Sequence, residues 1–176
     1  DFTNYEDPEE FFGTAVYVKY DNKYVGRIIV EDEIKEDSKR LIDSLANKET
    51  VMLTGDKNKT GQFVGNKLGI TKVYTELLPE DKLRITEEYM TSGKKVIFVG
   101  DGINDAPVLA ASTLGIAMGG IGSDAAIEAA DIVIMNDEPS KIITLRKISK
   151  KTRKIVLQNI WFALGIKAIF LALSAL

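Results

Sequence analysis

The sequence predicts an α/β fold with a mostly parallel sheet in three layers, followed by a C-terminal transmembrane helix. Three observations support it. Short apolar runs alternate with segments of helical spacing over residues 35–135. Glycine-rich segments with polar side chains directly follow two of those runs. Residues 155–176 are almost wholly apolar. The alternating part therefore predicts a Rossmann-like layer of strands and helices.

The predicted elements begin with two alternating strands, Thr14–Tyr20 and Tyr24–Val30, because Asp21-Asn22-Lys23 between them is a hairpin signal. A helix is predicted over 35–48 from the spacing of its leucines and isoleucine. Further strands are predicted over 51–53, 72–75, 95–99, 114–118 and 131–135, and further helices over 58–68, 80–92, 104–112, 123–129 and 138–154. Such alternation implies parallel strands joined by right-handed crossovers.

Residues 100–107 read Gly-Asp-Gly-Ile-Asn-Asp-Ala-Pro and directly follow the apolar strand 95–99. Ligands of open α/β sheets bind outside the carboxyl ends of strands. Carboxylate oxygens such as those of Asp101 and Asp105 suit Mg²⁺, which is commonly bound together with phosphate. Glycine, asparagine and aspartate also dominate ordinary turns. The whole octapeptide favours a site for Mg²⁺ and phosphate over a plain turn.

Two further motifs lie close to strand ends. Thr54-Gly55-Asp56 follows strand 51–53, where a hydroxyl and an exposed backbone N–H can cradle phosphate oxygens. The alternative is that Asp56 simply caps the next helix. Lys82 falls one turn into a helix that Pro79 is suited to begin, although a lone lysine on a helix is commonly just solvated. The order of hydroxyl, lysine and double-aspartate motifs favours one shared site.

Composition narrows the chemistry. The chain has no cysteine and no histidine, so any metal it holds should be hard and bound through oxygen. All 26 acidic residues lie at or before Glu138, whereas seven of the 23 basic residues follow Lys141, which leaves residues 1–141 with a net charge of −10. This acidic body argues against a nucleic-acid partner.

The apolar run 155–176 is long enough to cross a membrane, since 22 helical residues span about 33 Å. Six cations precede it, which places that end in the cytosol: Arg146, Lys147, Lys150, Lys151, Arg153 and Lys154. The alternative is a buried helix of a soluble domain. Lys167 lies near the middle of the run, where insertion of a lysine costs about 2.5–3.5 kcal/mol. It is therefore expected to face a protein partner or a water-filled path rather than to snorkel.

The order of these motifs resembles that found in the haloacid dehalogenase superfamily. Their amino-acid sequences resemble those of the phosphorylation domain of P-type ATPases. The segments that carry the resemblance are 52–56, 78–82, 100–107, 114–119 and 122–131. Residues 158–167 resemble a helix of the heavy-metal-transporting group, most closely its zinc/cadmium/lead branch. The implied fold is a haloacid dehalogenase-type phosphorylation domain, and the implied activity is ATP hydrolysis that drives export of a metal cation.

The resemblance implies roles for matching residues. Those of the phosphate and metal site are Thr54, Gly55, Asp56, Lys82, Asp101, Asn104 and Asp105. Thr54 and Gly55 would bind phosphate oxygens, and Lys82 would neutralise them. Asp101 and Asp105 would serve Mg²⁺, while Asp105 with the neighbouring asparagine would hold the site's geometry. Catalysis would then rest on electrostatic stabilisation of the transferred phosphoryl group.

Other residues are assigned by resemblance to the nucleotide and to the transport path. Asp32 would lie near ATP in an Asp-x-x-Arg segment, in which Lys35 replaces the arginine and turns a bidentate fork into a point charge. Lys167 would be an internal counter-ion near the transported divalent metal, with Asn159 on the same helix.

The family's nucleophile is the aspartate of an Asp-Lys-Thr-Gly-Thr segment, which does not occur in these 176 residues. The chain is therefore expected to be the C-terminal part of a longer enzyme. Residues 1–12 would be the end of a nucleotide-binding domain, and that domain would make most of the contacts with ATP. Residues 13–137 would be the phosphorylation domain, 138–154 a basic stalk helix and 155–176 a transmembrane helix.

The expected partners are that nucleotide-binding domain, an actuator domain, other membrane helices and the lipid of the plasma membrane, with residues 1–154 in the cytoplasm.

Two alternatives stay open from the sequence. One is a soluble phosphatase of the same superfamily, in which 155–176 is a buried helix. The other is a non-catalytic module that binds Mg²⁺ and phosphate without turnover. A phosphatase needs its own nucleophilic aspartate after a first strand, and neither Asp21 nor Asp32 has that context.

Overall fold

The computed structural model describes residues 14–21, 23–30, 33–100, 103–119, 124–136 and 138–174. Its strands are β1 (Thr14–Tyr20), β2 (Lys23–Val30), β3 (Val51–Leu53), β4 (Lys72–Tyr74), β5 (Ile97–Gly100), β6 (Leu114–Met118) and β7 (Ile132–Ile134). Its α-helices are α1 (Glu36–Ser44), α2 (Asn58–Leu68), α3 (Pro79–Thr91), α4 (Ala106–Ala111), α5 (Asp124–Ala129) and α6 (Lys141–Ser174), and a 3₁₀ turn (Ile103–Asp105) precedes α4. The predicted alternation of strands and helices is confirmed.

The first two strands form an antiparallel hairpin, as predicted. Thr14 pairs with Val30 at its open end and Tyr20 pairs with Lys23 beside the turn. Asp21 in the turn has a φ of 48°, a left-handed conformation that aspartate tolerates better than most residues. Asn22, the other turn residue, lies outside the described part of the chain.

The predicted parallel pairing of these strands is confirmed, and it is divided between two sheets. The described parallel strands form two sheets, β3–β4 and β5–β6–β7. All their pairings are parallel, with Met52 opposite Val73, Val99 opposite Ile116 and Ala117 opposite Val133. β3 and β5 are not hydrogen-bonded to each other, and residues of both strands line a cleft between them. The layer is thus divided at its middle.

The core is built on both faces of β6. On one face, Leu109 of α4 packs with Ala117, and both are almost fully buried. On the other face, Ile116 and Met118 pack against the first turns of α6. Complete burial of a large apolar side chain contributes about 1.5–3 kcal/mol. β6 therefore lies in the middle of three layers, helices on one side and α6 on the other.

Local chemistry sets the helix ends around the site. α2 ends at Leu68, as predicted, and is followed by Gly69, whose φ of 77° suits glycine after a helix C-terminus. α3 begins with Pro79, and the Asp81 carboxylate accepts the backbone N–H of Leu78 at 3.2 Å. This N–H and the Arg84 guanidinium lower the pKa of Asp81, with the guanidinium as the larger cause. The proline and the Asp81 bond fix the first turn of α3, and thereby the position from which the Lys82 side chain extends.

The last helix, α6, continues unbroken from the basic segment into the apolar one. Its 34 residues span roughly 51 Å. It is the one helix of the described chain that is long and apolar enough to cross a membrane. Its large apolar side chains beyond residue 154 are exposed, including Trp161 and Phe162.

A cluster of ionic groups ties the two parallel sheets together at the amino ends of their strands. Glu49, just before β3, lies 2.8 Å from Lys72 Nζ of β4 and 2.5 Å from Lys94 Nζ ahead of β5. Lys94 also lies over the Tyr89 ring, 4.7 Å from its centroid. The hydrogen bonds from Lys72 and then Lys94 lower the pKa of Glu49 to about 2.

We expect Glu49→Gln to destabilise the protein near pH 7 and to lose this effect in acid. The folded-state pKa of Glu49 is about 2, below the ordinary glutamate value of about 4.3. The stabilisation is therefore fully present above about pH 4.3 and is lost as the pH falls toward 2. Urea unfolding of the chain in detergent micelles at several pH values measures it. Glu87→Gln removes an exposed carboxylate of α3 and should leave the pH dependence unchanged; a pH-independent loss in Glu49→Gln would contradict the ionic origin.

Candidate functional site

A cleft of about 590 Å³ opens between the carboxyl ends of β3 and β5. Leu53 ends β3 on one side, and Gly100 ends β5 on the other. The cleft wall is mostly polar. Its polar side chains are those of Lys35, Ser38, Thr54, Asp56, Lys82 and Asp105. The structure thus brings together four of the predicted site residues, which are far apart along the chain.

The centre of the cleft wall is an ion pair between α3 and the 3₁₀ turn. Lys82 Nζ donates to Asp105 Oδ1 at 2.8 Å, and the two side chains are only 18% and 11% exposed. A charge at this depth is stable only with a partner of opposite sign and good geometry. Lys82 reaches the strand ends from one turn inside α3, as the sequence predicted. The pair fixes a positive charge at the rim of the cleft.

Gly100 allows Asp105 to approach the end of β5. A Cβ at position 100 would lie 2.8 Å from Asp105 Oδ2 and 2.9 Å from Asp105 Cβ, closer than real side chains pack. Gly100 is itself buried. Only glycine fits this position without moving the carboxylate that holds Lys82.

On the opposite side, Thr54, Gly55 and Asp56 form a compact turn after β3. Thr54 Oγ1 donates to Asp56 Oδ2 at 2.8 Å, and the Asp56 backbone N–H donates to Thr54 Oγ1 at 3.1 Å. The alternative that Asp56 caps α2 is wrong, because Lys57 is the N-cap and makes no side-chain cap bond. The carboxylate bonds to the threonine instead. A Cβ at Gly55 would lie 3.3 Å from the Leu77 carbonyl oxygen, so this turn is tightly packed.

The remaining predicted residues lie elsewhere. Asn104 is exposed and is not among the residues that line the cleft. Asp32 and Asp101 lie outside the described residues. Asn159 and Lys167 are exposed on α6, away from the cleft. Lys167 lines a shallow groove on that helix with Phe170, Leu171 and Ser174.

Among the residues of the cleft wall that were not predicted as site residues are Ser38, Met118 and Pro139. Ser38 is in the first turn of α1, and Pro139 precedes α6 by two residues. Because these two residues are far apart in the sequence, the sequence gives no sign that they lie close together in space. Of these residues, Met118 was the one whose place at the cleft could have been predicted, because it ends a strand and the carboxyl ends of parallel strands lie at the same edge of a sheet.

The donor set of the cleft fits a hard cation. Asp56 and Asp105 present carboxylate oxygens, and there is no thiol or imidazole anywhere in the sequence. No three acidic residues cluster among the described residues. Mg²⁺ needs only one or two protein carboxylates when phosphate oxygens and water complete its shell. The two carboxylates of the cleft therefore fit a magnesium ion that is bound together with a phosphate group.

The family model for the haloacid dehalogenase-like hydrolases matches residues 1–113, which is well over half of the chain. The chain belongs to the haloacid dehalogenase-like hydrolase family. This family implies Mg²⁺ in general terms, in agreement with the carboxylates of Asp56 and Asp105 in the cleft. The predicted fold class is confirmed.

The curated relatives of this haloacid dehalogenase-like chain are heavy-metal-transporting P-type ATPases. It is 56% identical over 174 residues to a cadmium, zinc and cobalt-transporting ATPase of Bacillus subtilis, covering 96% of this chain and 25% of the relative. It is 51% identical over 169 residues to a zinc-transporting ATPase of Synechocystis, covering 93% and 23%. The chain therefore spans about a quarter of the length of the curated relatives it matches.

A solved structure gives the same result. The crystal structure of a zinc-transporting PIB-type ATPase in the E2.Pi state matches with a TM-score of 0.78 and 33% identity, over 90% of this chain and 26% of that one. The resemblance to P-type ATPases, inferred from the motifs, is confirmed.

We expect Gly100→Ala to lower the free energy of unfolding by about 1–3 kcal/mol, the usual cost of forcing a methyl group into a packed site. Replacing glycine normally adds stability through the unfolded chain, so a loss isolates the clash with Asp105. Gly26→Ala in β2 is the matched control, because a Cβ there meets nothing within 4 Å. Urea unfolding measures both; equal stabilities would mean that Asp105 moves aside freely.

Proposed function

We propose that this chain supplies the Mg²⁺- and phosphate-handling half of the phosphorylation site of an ATP-driven heavy-metal transporter. The observation that carries the proposal is the Lys82–Asp105 pair facing Thr54 across a cleft at two strand ends. A fixed cation and a hydroxyl turn are what a transferred phosphoryl group requires, since most of its catalysis is positioning and charge stabilisation.

Each side chain of the cleft has a role in this proposal. Thr54 Oγ1 and the Gly55 backbone N–H bind phosphate oxygens. Lys82 offsets their charge, and Asp105 holds Lys82 in place through the 2.8 Å bond. Asp101 and Asp105 would hold Mg²⁺, which when bound neutralises phosphate charge. Asn104 would support the turn that carries both aspartates, and Asp32 would approach the nucleotide.

The division of the parallel layer supports a second part of the proposal, namely that the nucleophile comes from another segment of the longer protein. β3 pairs only with β4 and β5 pairs only with β6 among the described strands. Met52 and Val99 from the two strands line the same cleft. A parallel strand between them would present its carboxyl end beside Thr54 and Lys82. We assign the nucleophilic aspartate to the end of such a strand.

The transported metal and the membrane are proposed from α6 and from the relatives. Its apolar part, 155–176 in the sequence, would cross the plasma membrane, with residues 1–154 in the cytoplasm. Lys167 would face the transport path as a counter-ion, with Asn159 on the same helix. The relatives are named for zinc, cadmium and cobalt, so we propose a divalent cation of this group as the cargo. The rest of the transporter, including its nucleotide-binding and actuator domains, would be the partner.

We expect Lys82→Met in the full-length transporter to weaken Mg²⁺-dependent binding of BeF₃⁻ by at least about 100-fold, the usual cost of losing one donor to an anionic site. The same change leaves Asp105 without a counter-charge, which costs about 3–5 kcal/mol of stability. Lys82→Met combined with Asp105→Asn should restore stability but not binding. Lys95→Met, an exposed lysine at the opposite end of β5, is the control. Unchanged binding in Lys82→Met would contradict the proposed site.

We also expect the isolated 176-residue chain to form no acyl-phosphate with γ-labelled ATP, whereas the full-length protein should be labelled when its metal is present. The reason is that the proposed nucleophile belongs to a different segment. Acid quenching followed by gel autoradiography measures it. Covalent label on the isolated chain would mean that the nucleophile is one of these 176 residues, and it would favour the phosphatase alternative.

A further inference from the structure

Helix α1 and the beginning of α6 are joined at two points, although about a hundred residues separate them in the sequence. The backbone N–H of Ser140 donates to Asp37 Oδ2 at 2.9 Å. Arg146 Nη1 donates to the carbonyl oxygen of Ser44 at 3.2 Å. Both acceptors belong to α1, and both donors belong to the first turns of α6 or the residue before it. We call this pair of contacts the α1–α6 latch.

The latch holds the two helices side by side and pointing the same way. Asp37 and Ser44 are about 10 Å apart along α1, and Ser140 and Arg146 are about 9 Å apart along α6. The contacts therefore match in spacing and order. Each also satisfies a helix end, since a carboxylate meets the positive amino end of α6 and a guanidinium meets the negative carboxyl end of α1.

The latch lies behind the cleft wall. Lys35 and Ser38, which flank Asp37, line the cleft, and so does Pro139, which precedes Ser140. Asp37 and Ser140 are themselves half-buried. The backbone N–H of Ser140 is the main cause that lowers the pKa of Asp37, so the carboxylate is charged when it makes this bond. The Asp37 carboxylate thus connects a wall of the cleft to helix α6, which continues to Ser174.

We propose that Asp37 is a positioning residue that transmits the occupancy of the cleft to α6. A ligand shifts a conformational equilibrium only through contacts that differ between two states. A phosphate group in the cleft attracts the Lys35 ammonium and the Ser38 hydroxyl, and these residues belong to the turn that carries Asp37. Because Asp37 holds the Ser140 N–H, α6 follows α1 as a unit. This inference rests on the proposed function, which supplies the phosphate group and the metal.

The test measures coupling between the two ends of the full-length transporter in detergent micelles. BeF₃⁻ affinity is determined with Mg²⁺, in the presence and absence of Zn²⁺, and the ratio of the two affinities is the coupling factor. Coupling between sites is commonly 5–150-fold. We expect Asp37→Ala to reduce the factor at least about 5-fold while the zinc-free BeF₃⁻ affinity stays within about twofold. Asp37→Asn keeps an oxygen for the Ser140 N–H and should retain most of the factor.

A second variant removes the same bond from its other end. Ser140→Pro deletes the backbone N–H and places proline where helix starts tolerate it. It should lose as much coupling as Asp37→Ala, and the double variant should lose no more than either single change. Glu36→Ala is the matched control, because Glu36 is an exposed acidic residue in the same first turn of α1.

The outcomes separate the two proposals. A wild-type coupling factor that persists in Asp37→Ala and in Ser140→Pro would overturn the role of the latch and leave the proposed function intact. Equal loss in the Glu36→Ala control would also overturn it, since the effect would then belong to the charge of α1 and not to the bond. Absence of any zinc effect in the wild-type protein would overturn the proposed function and the coupling with it.

Discussion

The geometry of the site depends on one ion pair, Lys82 with Asp105. Neither charge is tolerable at that depth without the other, because desolvation of a lone ion costs several kcal/mol. The pair therefore fixes where α3 lies relative to the end of β5 before any ligand arrives. Gly100 permits the close approach, and Pro79 with the Asp81 bond fixes the turn from which Lys82 extends. The positive charge is preorganised, and preorganised charge is the form in which electrostatic stabilisation is most effective.

The sequence predicted the meeting of Thr54, Lys82 and Asp105 because each follows a strand or begins a helix at the same sheet edge, and parallel strands share that edge. Helix ends marked by Gly69 and Pro79 were predictable for the same kind of local reason. The division of the layer was not, since pairing between strands depends on segments distant in sequence. Ser38 and Pro139 were missed because only tertiary packing brings α1 and α6 to the cleft. The sequence left open that Asp56 caps the next helix, because a short polar side chain after a strand can either cap a helix or bond within the turn, as Asp56 does with Thr54.

Two ionic contacts bridge the divided layer, one at each end of the strands. At the amino ends, Glu49 contacts Lys72 of one sheet and Lys94 ahead of the other. At the carboxyl ends, Lys82 follows β4 and reaches Asp105, which follows β5. The first bridge is exposed and its energy is screened by water, whereas the second is largely buried. The two sheets are thus held at their base by solvated charges and aligned at the cleft by a desolvated pair.

Helix α6 has two different parts along one axis, one packed on the core and one exposed. Its first turns place Ile142 and Leu145 on the core beside Ile116, where they are packed. Beyond residue 154 its apolar side chains are exposed, and an apolar surface of that extent requires lipid or other helices to cover it. Since a straight helix transmits rotation at one end to the other, the packing of its first turn decides the orientation of Lys167 some 40 Å away, roughly 27 residues at 1.5 Å each. The core contacts of α6 are apolar and are not directional. The Asp37 bond to Ser140 is directional, and it is therefore the contact best suited to fix the axis.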